Sequence, residues 1–418
     1  MDPKAIIIGY DLGVEFSQIA VGRAVEEPDS ISITSSGNAV IPTVLCVRND
    51  SKDWLFGEEA ERFNNRGAGR FVDDLVNKVI RGENEIIFEI EYTAAELLTR
   101  FVRKTLSAVR QKYVSDEVEK VVVTMRTLHP QVVEAVLQAI EETGIGRDKA
   151  EFQPYVMSFM YYSVCQRRDY WINDVGLFDY NENGLFYYQM SNNSRKGTPI
   201  AITTVTADLS DLMDATMLEN MQEARLQYSF RLVRDKVIQR QIISTIFVTG
   251  KGFEGTWPDE ILRSMTAGRH VFKGSNLYAK GAVYYGQHKD DEKFADYLFL
   301  TEDMVRSTIS IRMFKDNRVA DYPLIYAGEQ WRDAKATTVG ILDDTDEIYF
   351  TVYNAVRKES KYSIMNLKNL HRRENKTTRV AVKVTFLDRD TAVCTVTDLG
   401  FGQFFPRSYR VWEKIISL

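Results

Sequence analysis

Ala5-Ile6-Ile7-Ile8-Gly9-Tyr10-Asp11-Leu12-Gly13 is a short apolar run that meets a glycine, then an aspartate, then a second glycine. The run has the length and composition of a buried strand. Gly9 and Gly13 let the backbone turn tightly and approach a ligand. An aspartate at such a turn can hold water or a metal ion beside phosphate oxygens. Residues 15–24 then alternate loosely, as a returning hairpin strand does.

Composition narrows the classes open to the chain. Its 418 residues leave room for two or more domains. The net charge of -6 argues against nucleic acid as the main partner. No apolar run reaches the length of a membrane span, so no membrane partner is expected. Met1-Asp2-Pro3-Lys4 lacks the basic region and apolar stretch of a signal peptide. Cys46, Cys165 and Cys394 are far apart and odd in number, which reads as reduced thiols and a cytoplasmic location. Two basic clusters, Arg357 with Lys358 and Lys361, and His371-Arg372-Arg373, read as solvated loops.

Further along, Val40-Ile41-Pro42 is expected at a sheet edge, because proline cannot donate to a central ladder. Residues 93–113 carry the clearest helix, with Thr93 and Glu96 as a capping box and Leu97, Leu98, Phe101, Val102, Leu106 and Val109 on one face. A buried strand over 120–125 precedes a second helix opened by Pro130 and stopped by Gly144. His129 reads as a cap or surface residue. Val175-Gly176-Leu177-Phe178-Asp179 is another strand ending in aspartate. Asn183-Gly184 signals a tight hairpin there. Residues 209–239 read as one long helical stretch that includes Met221, and residues 242–248 as the next strand. From Thr301 the apolar period changes to two, as in Ile309-Ser310-Ile311-Arg312-Met313 and Val380-Ala381-Val382-Lys383-Val384, which predicts a β-sandwich.

In this order the stretches resemble the DnaK-type 70-kDa heat-shock chaperones of the actin-like ATPase superfamily. Asp11-Leu12-Gly13 and Asp179 are similar to that family's two phosphate loops, Thr249-Gly250-Lys251-Gly252 to its adenosine loop. Gln153-Pro154 with the helix after it, and Lys280-Gly281-Ala282, resemble its two hinge helices. Met125 stands near the family's relay proline, and Asn77 or Lys78 takes the place of a lysine that helps hydrolysis.

The resemblance implies a two-lobed actin-like (ribonuclease H-like) ATPase fold, α/β, followed by a β-sandwich like the chaperone peptide-binding domain. Lobe I would cover 1–172, lobe II 173–292, a linker 293–300 and the sandwich 301–418. It implies ATP or ADP with magnesium as cofactor, held by Asp11, Gly13, Asp179, Gly250 and Gly252, with Asp11 and Asp179 serving as catalytic groups and metal ligands.

The chain departs from the pattern at several points. The second loop has Asn181-Glu182-Asn183 where the family has glycines. The first has Val14-Glu15 where it has hydroxyls. On this resemblance the subdomain that clamps adenine and the helical lid are expected to be absent. The expected function is therefore a non-catalytic scaffold or regulator that binds protein or extended peptide. A working ATPase chaperone and an actin-like assembly protein are the alternatives. Peptide would be held near Trp331, Phe401, Phe404 and Phe405, in the loops around 326–331 and 400–405.

Overall fold

A computed structural model describes residues 5–34, 36–194, 197–219, 223–371 and 373–418. Met1 to Lys4, Met221 and Arg372 lie outside the described residues. The protein is mixed α/β and divides into two units. One is built from the chain up to Met190 together with Thr206–Phe294, the other from Ser191–Val205 together with Ala295–Leu418.

In the first unit the opening stretch is a fully buried strand, Ala5–Leu12. It pairs antiparallel with Phe16–Gly22 on one side and parallel with Glu117–Met125 on the other. Ala150–Pro154 extends the parallel side, and Asp29–Ser30 and Val40–Pro42 the antiparallel side. A second sheet repeats the plan. Asp174–Asn181 is central, with Gly184–Asn192 antiparallel on one side. Ile243–Thr249 and His270–Lys273 lie parallel on the other. Asp11 is opposite Thr124 on its parallel neighbour, and Asp179 is opposite Thr249 on its own. The two aspartates thus occupy equivalent places in two sheets.

Helices fill the crossovers that parallel pairing demands. Ala94–Lys112 starts at the capping box, where Thr93 Oγ1 accepts from the Glu96 amide at 3.2 Å and the Glu96 carboxylate accepts from the Thr93 amide at 2.8 Å. Its apolar face packs with Pro130–Glu142 into the core of the first sheet. His129 precedes the latter helix without a side-chain cap bond. The stretch 209–239 is not one helix. Turns follow Leu209, a single turn spans Thr216–Glu219, and the main helix is Glu223–Ile238. Asp208 and Asp214 hold the turns by accepting from Ser210 and Thr216 side chains at 2.6 Å, an option that short polar residues offer against helix.

Tyr155–Cys165 and Leu277–His288 pack against each other, and the second also covers the far face of the first sheet. A Cβ on Gly281 would stand 2.0 Å from the Ser158 carbonyl oxygen, so only glycine fits that crossing.

The second unit holds two four-stranded antiparallel sheets. One has the order Arg318–Ile325, Ser307–Lys315, Glu347–Asn354, Glu359–Asn366. The other has Ala336–Ile341, Arg379–Asp388, Thr391–Gly400, Val411–Ser417. Thr391–Gly400 alternates strictly between half-buried and buried, as its period-two sequence requires. Inward residues of both sheets, among them Ile309, Phe350, Val382 and Cys394, share one apolar core. The stretch read as a linker holds a strand, Tyr297–Leu300, paired parallel with residues 200–203. Residues 191–205, assigned to lobe II on sequence, belong with this unit.

Arg373 is not in a solvated loop. Its guanidinium makes a bidentate pair with Asp398 at 2.8 and 2.7 Å, with 2% and 0% of the two side chains exposed.

Candidate functional site

The two equivalent aspartates face one cavity of about 600 Å³ in the first unit, within the ~300–1,000 Å³ usual for small-molecule sites. Of the residues singled out in the sequence, Asp11, Gly13, Asp179 and Gly250 line it. Gly250 holds φ +97°, with the Tyr180 backbone where a Cβ would stand. Gly252 is buried behind, against the Tyr180 ring. Asn77 lines the cavity, whereas Lys78 is drawn to Glu85 at 3.1 Å and to Asp73. Lys78 is not among the residues that line the cavity.

Asp179 is 1% exposed and already satisfied. It accepts from Arg126 Nη2 at 2.9 Å, from the Tyr278 hydroxyl at 2.9 Å and from Asn181 Nδ2 at 2.9 Å. Arg126 also donates to the Tyr188 hydroxyl at 3.0 Å and lies 4.2 Å from the Phe186 ring centre. Burial pushes the Asp179 carboxyl up, and Arg126, Tyr278 and Asn181 pull it back. Burial works against the Arg126 charge, but Asp179 together with Tyr188, Tyr278 and Tyr155 outweighs it, and the guanidinium is held firmly protonated.

Asp11 has no such cation. It is 7% exposed, and Tyr155 is its polar neighbour. Oδ1 is buried with no partner among the described residues. Burial pushes its pKa up to about 8, opposed by Tyr155 and helped by the charges of Asp179 and Glu182. Tyr155 and Tyr278, each at the start of one crossing helix, stack with ring centres 4.1 Å apart and planes 8° apart. The two aspartate–tyrosine pairs therefore meet at one stacked contact.

The turn beside Asp179 is centred on Glu182 and Asn183, with Asn181 opposite Gly184. Gly184 takes φ +84°, so the left-handed residue follows the two turn residues and does not lie between them. Asn181, Glu182 and Asn183 all reach the cavity. Burial and the charges of Glu15 and Asp179 push the Glu182 carboxyl up, against its own backbone hydrogen bond and Arg126.

This donor set does not fit a magnesium-bound phosphate. Asp179 is taken by an arginine where a hydrated cation would need it. Glu182 presents a carboxylate where backbone N–H groups would have to meet phosphate. Among the described residues no group of three or more histidine, cysteine, aspartate or glutamate side chains is arranged to hold a metal ion.

Arg126, Tyr155 and Tyr278 are the site residues that sequence reading missed. The available signal was a lone arginine ending a buried run, Val121-Val122-Val123-Thr124-Met125-Arg126, where a partner carboxylate is needed.

In the second unit the four aromatics separate. Phe404 is 91% exposed and Phe401 38%, in a loop closed by the Phe401 amide donating to the Phe405 carbonyl at 2.7 Å. Asp398, held by Arg373, accepts from the Gly400 amide and the Ser408 hydroxyl and so anchors both ends of that loop. Trp331 sits in another loop and packs against the core. All three cysteines are free, with Cys46 and Cys394 buried. No described helix is long and apolar enough to cross a membrane.

No curated protein matches the chain. Residues 304–418 match a domain of unknown function, DUF8552. Residues 27–302, more than half of the chain, match the C-terminal model of a family of unknown function, DUF5716, and the protein belongs to that family.

Proposed function

We propose that this protein is a heat-shock-chaperone-like scaffold with a two-lobed actin-like core whose nucleotide site has been converted into a fixed internal contact. The actin-like reading is supported by the repeated sheet plan, by aspartates at equivalent positions, and by two helices crossing between the sheets. The loss of catalysis rests on one observation. Arg126, Tyr278 and Asn181 consume the hydrogen-bonding capacity of Asp179. The second unit is then the partner-binding part, taking protein or extended peptide at strand edges and at the loop carrying Phe401, Phe404 and Phe405.

The test is titration of the full chain with ATP and ADP, each with magnesium, by calorimetry and thermal shift. A ligand at about 100 times its dissociation constant raises stability by ~2.7 kcal/mol. No shift is expected. A saturable shift abolished by both Asp11→Ala and Asp179→Ala would restore the working ATPase chaperone and overturn this reading. For the second unit, apolar peptides are expected to bind the full chain and to bind less tightly to the Phe404→Ser, Phe405→Ser double variant. Equal binding would move the partner surface elsewhere.

A further inference from the structure

We propose that the cavity between the two sheets of the first unit is a metal-free site for an organic cation, a primary amine or amidine carried on a flat apolar body, with Asp11 as its anchor. The inference rests on the reading that this cavity does not take magnesium nucleotide.

Three observations carry it. The first is the cavity itself, large enough for a small molecule and with Asp11 in its lining. The second is Asp11 Oδ1, a buried carboxylate oxygen without a hydrogen-bond donor. Buried polar atoms are satisfied in the great majority of cases, and an exception inside a cavity points to a missing ligand group. The third is where the cations of the site are committed. Arg126 is spent on Asp179 and Tyr188. Lys251 stands 3.7 Å from Glu15 and lies over the Phe16 ring. Lys273 donates to the Gly255 carbonyl and faces Asp259. The donor that meets Asp11 therefore comes from outside the chain.

The sign of that donor follows from the neighbours. Asp179 and Glu182 both raise the potential cost of a charge on Asp11, and Arg126 only partly offsets them. An anion entering here meets three carboxyl groups. A cation draws Asp11 into its ionised form, offsets the negative charge beside it and supplies the absent N–H. The body of the ligand is set by the apolar part of the lining, Val14, Val76, Ile80 and Met125.

The experiment titrates the full chain with tryptamine, benzamidine and spermidine, and with indole-3-propionate as the acid counterpart of tryptamine. Magnesium ATP and magnesium ADP are run in parallel. Saturable binding of tryptamine or benzamidine is expected, with spermidine weaker and indole-3-propionate absent. Asp11→Asn keeps the shape but cannot ionise to meet the cation, and it should weaken binding by about tenfold or more, the effect of losing ~1.4 kcal/mol. Ile80 is 42% exposed, so Ile80→Arg tests the apolar wall in a chain that still folds. It should abolish binding by placing a competing cation in the cavity. No binding of any amine, equal binding of indole-3-propionate, or binding unchanged by both variants overturns the proposal and leaves the scaffold reading standing. Binding of magnesium nucleotide overturns both.

Discussion

Asp11 is the residue from which the chemistry of the first unit is best probed. Its carboxyl, ordinarily near 3.8, is pushed up to about 8 by burial, with Asp179 and Glu182 adding to the effect. A raised folded-state value means the folded chain holds a proton that the unfolded chain has lost. The contribution of Asp11 to stability is complete below pH ~4 and fades as pH rises towards about 8, with a slope of up to ~1.4 kcal/mol per pH unit. Urea midpoints measured across that range should fall in the wild type and flatten in Asp11→Asn. A slope unchanged by the substitution would assign the dependence to other groups. Asp179 behaves differently because it has a cation. Arg126→Met leaves its carboxylate buried and unpaired, which costs about 3–5 kcal/mol. The matched double change, Arg126→Met with Asp179→Leu, should recover most of that loss in equilibrium unfolding. No recovery would mean the arginine acts through Tyr188 and Phe186.

At the scale of elements, the two crossing helices decide whether the first unit can open. Tyr155–Cys165 is bulky along its length, and Tyr161 and Tyr162 make further ring contacts with Tyr285 and Phe247. Dense interiors resist sliding, so this contact is a clamp. The helices approach closely at Gly281, where the Ser158 carbonyl occupies the space of a Cβ. Gly281→Ala should destabilise the chain by about 1–3 kcal/mol through overpacking. Ala282→Gly, on the same helix, serves as the control for helix propensity, at about 1 kcal/mol. If Gly281→Ala unfolds at the wild-type denaturant concentration, the crossing tolerates a methyl group and the clamp is looser than its geometry implies.

At the scale of the whole molecule, the second unit carries its own core. Both of its four-stranded sheets lie between Ser307 and Ser417, and the residues that fill the core lie between Val305 and Leu418. A fragment of residues 301–418 should therefore fold alone and unfold cooperatively. It lacks the parallel pairing of residues 200–203 with Tyr297–Leu300. A fragment that gives no cooperative transition, and gains one when residues 191–205 are supplied as a peptide, would make that pairing essential. The chain thus contributes to this unit twice, once through a hairpin tip and once through its last third.

The sequence by itself determined the local elements. Period-two alternation wrote the C-terminal strands, Thr93 and Glu96 wrote a helix start, and Asn183-Gly184 wrote a hairpin, because each signal acts between residues a few positions apart. It also put Asp11 and Asp179 at the ends of two similar strands, since each apolar run stops where a charge begins. The long helical stretch after Leu209 misled, because apolar spacing says nothing about side chains that bond their own backbone turn. What only tertiary structure decided is which distant groups meet. Arg126 reaches Asp179 across 53 positions, and Tyr278 reaches it across 99. Arg373 leaves its basic cluster to be buried on Asp398. A charge shows in sequence that it needs a partner or water, but the partner is chosen by sheet order and helix crossing, which no local pattern encodes.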